Sequence, residues 1–303
     1  MQTILLLGAT GQVGQALLAS RSTAYALVMP SRTQVNVETP GALANAVAAH
    51  NPHLVINCVA YNQVDGAEQN PELAARINAA AVAELAQACG ERDIPLIHFS
   101  TDYVFAGKNP RGQPPLYTEI EPPLPVNHYG KTKLAGERAA LQYPRNLVLR
   151  VSWVFSEFAQ NMGRRIIQQA ATGQPLAMAC DQYGSPTYAG HIAQTVWALV
   201  PALMQGEEGG LYHLSGTAAA SRYELAEALL AAAQVAGLVG SDCALTSVTQ
   251  QDFMARSVSP IAERPQWSAL GTEKLAQRLG RPLPHWRAGV ELTVAGLARN
   301  LAP

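Results

Sequence analysis

The chain has 303 residues, 48% of them hydrophobic and 14% charged, with a formal net charge of -1. That length allows one large domain or two modest ones around a sizeable core. The charge balance argues against a nucleic-acid or anionic-membrane partner, because both need a basic surface excess.

Met1 leads directly into "QTILLLG", with no basic region and no small-residue cleavage site, so no signal peptide is expected. The first half then alternates short apolar runs with alanine-rich helical patterns. Strands are expected at 3–8, 25–29, 54–60, 95–100 and 147–153, and helices from Val13, from Pro40 and over 72–89. Strands that are apolar throughout and separated by helices predict a parallel sheet covered on both faces, an α/β, doubly wound, Rossmann-like fold. After Trp153 helical segments dominate, at 158–171, 189–204, 221–236, 269–279 and 286–300, joined by loops rich in Gly, Pro and Ser. This predicts a dinucleotide-binding domain over 1–152, to which 188–214 returns, and a smaller substrate-binding lobe over 153–187 and 215–303. The stretch 192–206 is too short and too interrupted for a membrane span. Cys58, Cys89, Cys180 and Cys243 are far apart and lack C-x-x-C spacing, so they read as thiols of a reducing compartment. A soluble cytoplasmic protein is expected.

Three motifs carry chemistry. The first strand runs into "GATGQVG", placing Gly8, Gly11 and Gly14, with Thr10, Gln12 and Val13 between them, at a strand-to-helix turn. Glycines there allow a tight turn, backbone approach to a pyrophosphate and close helix–strand packing. At the end of the second strand "MPSRTQ" offers Ser31 and Arg32 and no carboxylate before Glu38. An acid there would bind a 2′-hydroxyl, whereas an arginine accommodates a 2′-phosphate, so NADPH is favoured with NADH possible. Arg32 reads equally well as a solvated loop residue. "FSTDYVF" (99–105) ends an apolar strand, and "HYGKTKLAGE" (128–137) opens a helix with Tyr129 and Lys133 on one face. The nearby ammonium is expected to lower the phenol pKa from about 10 and make Tyr129 a better proton donor. Thr101 can hold the substrate oxygen in line. The proline-rich segment 108–127 is too stiff for helix or central strand and reads as a loop walling the site or merely connecting the two motifs.

Together these residues resemble the extended short-chain dehydrogenase/reductase superfamily. The strings "VINCVAYNQVDGAE", "STDYVFAG", "VNHYGKTKLAGE", "RVSWVF", "DQYGSPTY", "GLYHLSG" and "RPQWSAL" span almost the whole chain and resemble the family of dTDP-4-dehydrorhamnose reductases. The resemblance implies hydride transfer from a nicotinamide to the C4 ketone of a nucleotide-linked 6-deoxy-4-keto sugar. In that reaction Tyr129 protonates the alkoxide, Lys133 binds the nicotinamide ribose and tunes Tyr129, and Thr101 polarises the ketone. It further implies that Val59, Ala60 and Tyr61 flank the cofactor and that Asp102 and Trp153 line the sugar pocket. Asn161, Asp181, Gln182, Pro186 and Arg264 are then candidates in the substrate lobe. Trp153 can equally be core, Pro186 a turn and Arg264 a surface charge.

Some relatives are described as magnesium-linked dimers held by carboxylates. Gln15 follows the glycine turn here and 187–194 has no acid, so no metal is expected, and both monomer and homodimer stay open. His50 and His53 lack further ligands for zinc. Met162 stands where an aromatic residue is more usual. Two rival functions are a nucleotide-sugar epimerase or 4,6-dehydratase, and a non-catalytic regulatory subunit resembling the beta subunit of methionine adenosyltransferase. Tyr103 follows Asp102 where dehydratases carry a glutamate, which counts against elimination.

Overall fold

The computed structural model describes residues 1–107, 115–241, 243–255 and 262–301. Six strands form one sheet: β1 (Gln2–Leu7), β2 (Tyr25–Val28), β3 (Leu54–Asn57), β4 (Leu96–Thr101), β5 (Leu147–Val151) and β6 (Gly210–His213). All pair in parallel in the order β6-β5-β4-β3-β1-β2, with Ile4 opposite Leu27 on one side and Leu54 on the other. Alternate β1 residues point to opposite faces, and both faces are dry. Ile4 and Leu6 pack with Leu17, Ile56, Leu149, Ile192 and Val196, while Leu5 packs with Val47, Val55, Leu85 and Leu96. Burial on both sides explains why the strands read as unbroken apolar runs.

Helices α1 (Gln12–Ala19), α2 (Ala42–His50) and α3 (Ala81–Gly90) follow the first three strands, and α4 (His128–Ala140) follows β4. The order reverses between β1 and β3, so the turns after these strands flank a crevice at the C-terminal edge of the sheet. The expected helix over 72–89 is present as a run from Pro71 to Gly90, but its middle, Arg76–Ala80, is a π-helical turn. The segment that follows the Thr187–Tyr188 strand, α6 (Ala189–Met204), packs on α1, and Trp197 donates to the Leu17 carbonyl at 3.2 Å.

A second core forms where α5 (Met162–Ala171), α7 (Arg222–Val235) and α9 (Trp286–Leu301) meet, around Phe155, Ile166, Leu225, Leu229, Val290 and Val294. Two expected helices start late. Asn161 caps α5 by accepting the Arg164 N–H at 3.1 Å, so 158–161 stays outside it. Residues 269–271 run extended because Leu270 pairs with Tyr117, and α8 (Glu273–Leu279) begins after them. Leu275 of α8 and Leu283 bury into the sheet core, not the second one. Of the proline-rich loop, 108–114 lies outside the described residues. Its remainder is tied to the C-terminal segment: the Trp267 indole donates to Pro115 O and Asn127 Nδ2 to Glu263 O. No helix among the described residues is long and apolar enough to cross a membrane.

Candidate active site

The glycine turn closes because Gly14 has no side chain: a Cβ there would sit 2.3 Å from the Gly8 carbonyl oxygen. Gly11 caps α1 without any side-chain acceptor, and no acid stands in the first turn. The free N–H groups and the helix dipole therefore face the crevice, a fit for a dinucleotide pyrophosphate. Thr10 and Gln12 line the same turn; the Gln12 amide oxygen accepts from Ser156 Oγ at 3.1 Å, while Val13 packs on the core. Across the crevice Val59, Ala60 and Tyr61 are half-buried. Their backbone is pinned twice, Val59 N–H to Asn57 Oδ1 at 3.0 Å and Tyr61 N–H to Asn78 Oδ1 at 2.8 Å. Asn78 lies in the π-turn, and its amide also donates to the Tyr61 carbonyl and to Thr132, the neighbour of Lys133. A π-turn has no sequence period, and Asn78 escaped the reading of the sequence for that reason. Ser31 and Arg32 are exposed; Arg32 pairs with Glu38 at 2.5 Å and Ser31 bonds Gln34.

Thr101 ends β4 and caps the short helical turn Asp102–Val104 by accepting the Tyr103 N–H at 3.2 Å. Asn127 starts α4 by accepting the Gly130 N–H at 2.8 Å. A Cβ on Gly130 would lie 2.2 Å from the Tyr103 carbonyl, so this glycine lets the helix seat against the strand end. Tyr129 thereby meets the Tyr103 ring edge-on at 5.9 Å and comes within reach of the Thr101 hydroxyl. Lys133 is buried and donates to the Phe99 carbonyl at 2.6 Å.

The electrostatics correct one expectation. The Tyr129 pKa is raised, not lowered: burial disfavours the phenolate, Asp102 and Tyr103 add to this, and only the Thr101 hydroxyl opposes it. The ammonium of Lys133 is committed to a strand carbonyl and does not offset that burial. Lys133 itself is brought down from 10.5 to about 8 by burial, against the pull of Glu137 one turn on. Asp102 is raised by burial, although Ser268, Ser152 and Thr101 hydroxyls all donate to it, at 2.5, 2.9 and 3.1 Å. At 2% exposure Asp102 braces β4, β5 and the C-terminal segment and offers no surface to a ligand.

The opposite wall comes from the second lobe. Trp153 takes φ +43°, a left-handed conformation that is strained for a bulky side chain. Arg222 lies 3.5 Å over its ring and donates to Tyr103 Oη and Gln182 Oε1, both at 3.3 Å. Met162 Sδ receives a third Arg222 donor at 2.9 Å. Arg264 pairs with Asp65 at 2.8 Å and also reaches Tyr103. Gln182, Trp153, Arg264 and Tyr103 thus belong to one cluster of contacts that reaches Tyr129 through the Tyr103 ring. Asn161 and Asp181 do not face it: the first spends its side chain on Ser156, Phe158 and Arg164, the second on the Gln250 N–H at 2.7 Å. Pro186 is buried. Arg222 was missed in the sequence although a signal exists: a cation in the first turn of a helix opposes the helix dipole.

Comparison with known proteins gives the chain its family. The family model for the RmlD substrate binding domain matches residues 1–299. A dTDP-4-dehydrorhamnose reductase of Salmonella typhimurium is 36% identical over 295 residues, covering 95% of each chain. One from Mycolicibacterium smegmatis is 37% identical, covering 98% of this chain and 86% of its own. A crystal structure of dTDP-4-dehydrorhamnose reductase from Bacillus anthracis in complex with NADP superposes with a TM-score of 0.85 at 27% identity, covering 97% of this chain and 99% of that one.

Proposed function

The chain belongs to the RmlD substrate binding domain family, and on that premise we propose that it reduces the C4 ketone of dTDP-4-dehydro-6-deoxy-L-mannose to dTDP-L-rhamnose with NADPH. The observation that carries this reading is the meeting of Thr101, Tyr129 and Lys133 at the C-terminal edge of the sheet, beside the glycine turn. Cofactor binding belongs to 1–152 with 188–214, and sugar recognition to 153–187 and 215–303, from which α8 reaches back onto β6. Free thiols at Cys58, Cys89, Cys180 and Cys243 support a cytoplasmic location.

Bound NADPH supplies the hydride to C4. Thr101 Oγ1 and Tyr129 Oη are the hydroxyls that hold the ketone oxygen, and Tyr129 gives up its proton as negative charge develops there. Burial keeps that proton on Tyr129 until an alkoxide, a far stronger base, demands it. Lys133, charged at pH 7, would hold the nicotinamide ribose with the donors that its bond to the Phe99 carbonyl leaves over. The Asn57 and Asn78 bonds fix the Val59–Tyr61 peptides that would flank the cofactor. A 2′-phosphate would replace Glu38 as the partner of Arg32, an exchange that costs little for an exposed pair.

The test is the absorbance of NADPH on mixing with dTDP-4-dehydro-6-deoxy-L-mannose. Its loss with formation of dTDP-L-rhamnose is the expected result. NADPH bound without turnover would favour a non-catalytic regulatory role.

A further inference from the structure

Arg76 opens the π-turn that also carries Asn78. Its guanidinium takes the carboxylate of Glu84 in α3 as a fork, Nη1 to Oε1 at 2.6 Å and Nη2 to Oε2 at 3.0 Å. It also donates to three successive carbonyls of the loop before α2: Nη2 to Val37 O at 3.3 Å, Nε to Glu38 O at 3.2 Å and Nη2 to Thr39 O at 3.4 Å. Glu84 completes the clamp by accepting the Gly41 N–H at 2.9 Å. The Arg76 bonds, with help from that N–H, hold the Glu84 carboxyl below its ordinary range against the effect of burial.

The residue held in this way is Glu38. It is the first carboxylate after β2, and its Oε1 meets Arg32 Nη2 at 2.5 Å. With side chains 81% and 36% exposed, the Arg32–Glu38 pair is too weak to fix the loop by itself. Among the described residues, the Val37 and Glu38 carbonyls accept from no donor other than Arg76. The place of the Glu38 carboxylate beside Arg32 therefore depends on Arg76 and Glu84. After the second strand of such a sheet a carboxylate accepts from a ribose 2′-hydroxyl, whereas an arginine accommodates a 2′-phosphate that the carboxylate repels. Glu38 and Arg32 thus pull cofactor choice in opposite directions.

We propose that Arg76 and Glu84 are positioning residues for cofactor choice: by fixing the loop 37–41 they keep Glu38 on Arg32, which restrains the preference for NADPH and keeps NADH usable. This rests on the reading of Arg32 as the partner of a 2′-phosphate. The π-turn then serves the cofactor twice, through Asn78 on the Tyr61 peptide and through Arg76 on the loop that carries Glu38.

Dissociation constants of NADPH and NADH, read from quenching of tryptophan fluorescence without any sugar nucleotide, test this apart from turnover. Arg76→Leu should raise the ratio of the NADH to the NADPH constant by about threefold to fivefold, and Glu84→Ala should move it the same way. A loss of affinity common to both cofactors, which loosening of the fold alone would give, cancels in that ratio. In a Glu38→Gln background, where the ratio is already raised, Arg76→Leu should change it no further. An unchanged ratio in Arg76→Leu, or the same shift with Glu38→Gln present, would make Arg76 a brace of the helix and overturn the proposal. If Arg32→Ala weakens both cofactors alike, the 2′-phosphate reading falls and takes the clamp with it. If it weakens NADPH alone while Arg76→Leu leaves the ratio unmoved, only the clamp falls.

Discussion

On the sheet side, Thr101, Tyr129 and Lys133 stand on a strand end and a capped helix, and side chain–backbone bonds at the strand end, at the helix start and to Phe99 O place them. On the lobe side, Trp153 is held in a left-handed conformation, Gln182 lies in a loop, and Arg222 sits against the dipole of its own helix. Among the described residues, buried polar atoms lack a partner on both sides, Ser100 Oγ and His98 Nε2 in β4 and the donors Trp153 Nε1 and Gln182 Nε2 on the lobe side. Chemistry that must be repeated with the same geometry is assigned to rigid elements. Asp102 joins the two, accepting from Thr101 of one wall and from Ser152 and Ser268 behind the other.

The sharpest break in this comparison is Tyr129→Phe, which should lower kcat by about two to four orders of magnitude with NADPH and dTDP affinities kept. A loss below about tenfold would take the proton-donor role from Tyr129. Asp102→Ala should come next, costing about 3 kcal/mol in urea unfolding because three hydroxyls lose a buried acceptor. A cost under about 1 kcal/mol would mean that the walls are not fastened there.

The pH profile separates the two titrating groups of the sheet-side wall. The Lys133 pKa is depressed to about 8, so its ammonium is present at neutral pH and lost as pH rises through that value. Tyr129, with its pKa raised, keeps its proton over the same range. Thus kcat/KM should be flat near pH 7 and fall about tenfold per unit above the Lys133 pKa; a plateau to pH 10 would remove Lys133 from the reaction. The smallest effect belongs to Arg32→Ala, about fivefold weaker NADPH with NADH unchanged, as befits an exposed side chain. Equal effects on both cofactors would end its link to a 2′-phosphate.

The sequence made the sheet legible because strands buried on both faces leave unbroken apolar runs, and the glycine turn because Gly14 tolerates no Cβ. The spacing of Tyr129 and Lys133 was legible since a helix has a fixed period. Three things were not. The Tyr129 pKa depends on where the Lys133 ammonium goes, and a strand carbonyl 34 residues away claims it. Asp181 and Asn161 look like ligands in a string of letters, yet both serve as acceptors for backbone at helix starts. Arg222 and Asn78 reach the cleft only through tertiary contacts, one across 119 residues to Tyr103 and the other across 54 to Thr132.

The π-turn at Arg76–Ala80 has one more consequence. Such a turn holds one residue more than the α-helical turn it replaces, so it behaves as an insertion that the helix absorbed without lengthening its axis. Deleting that residue would heal the helix with both flanks still in register and abolish only the wide turn that carries Asn78. The Asn78 amide would then swing off the Tyr61 peptide, and the crevice would lose a wall through a change that improves local helix geometry. Helical regularity and an intact crevice are therefore in conflict at this one position.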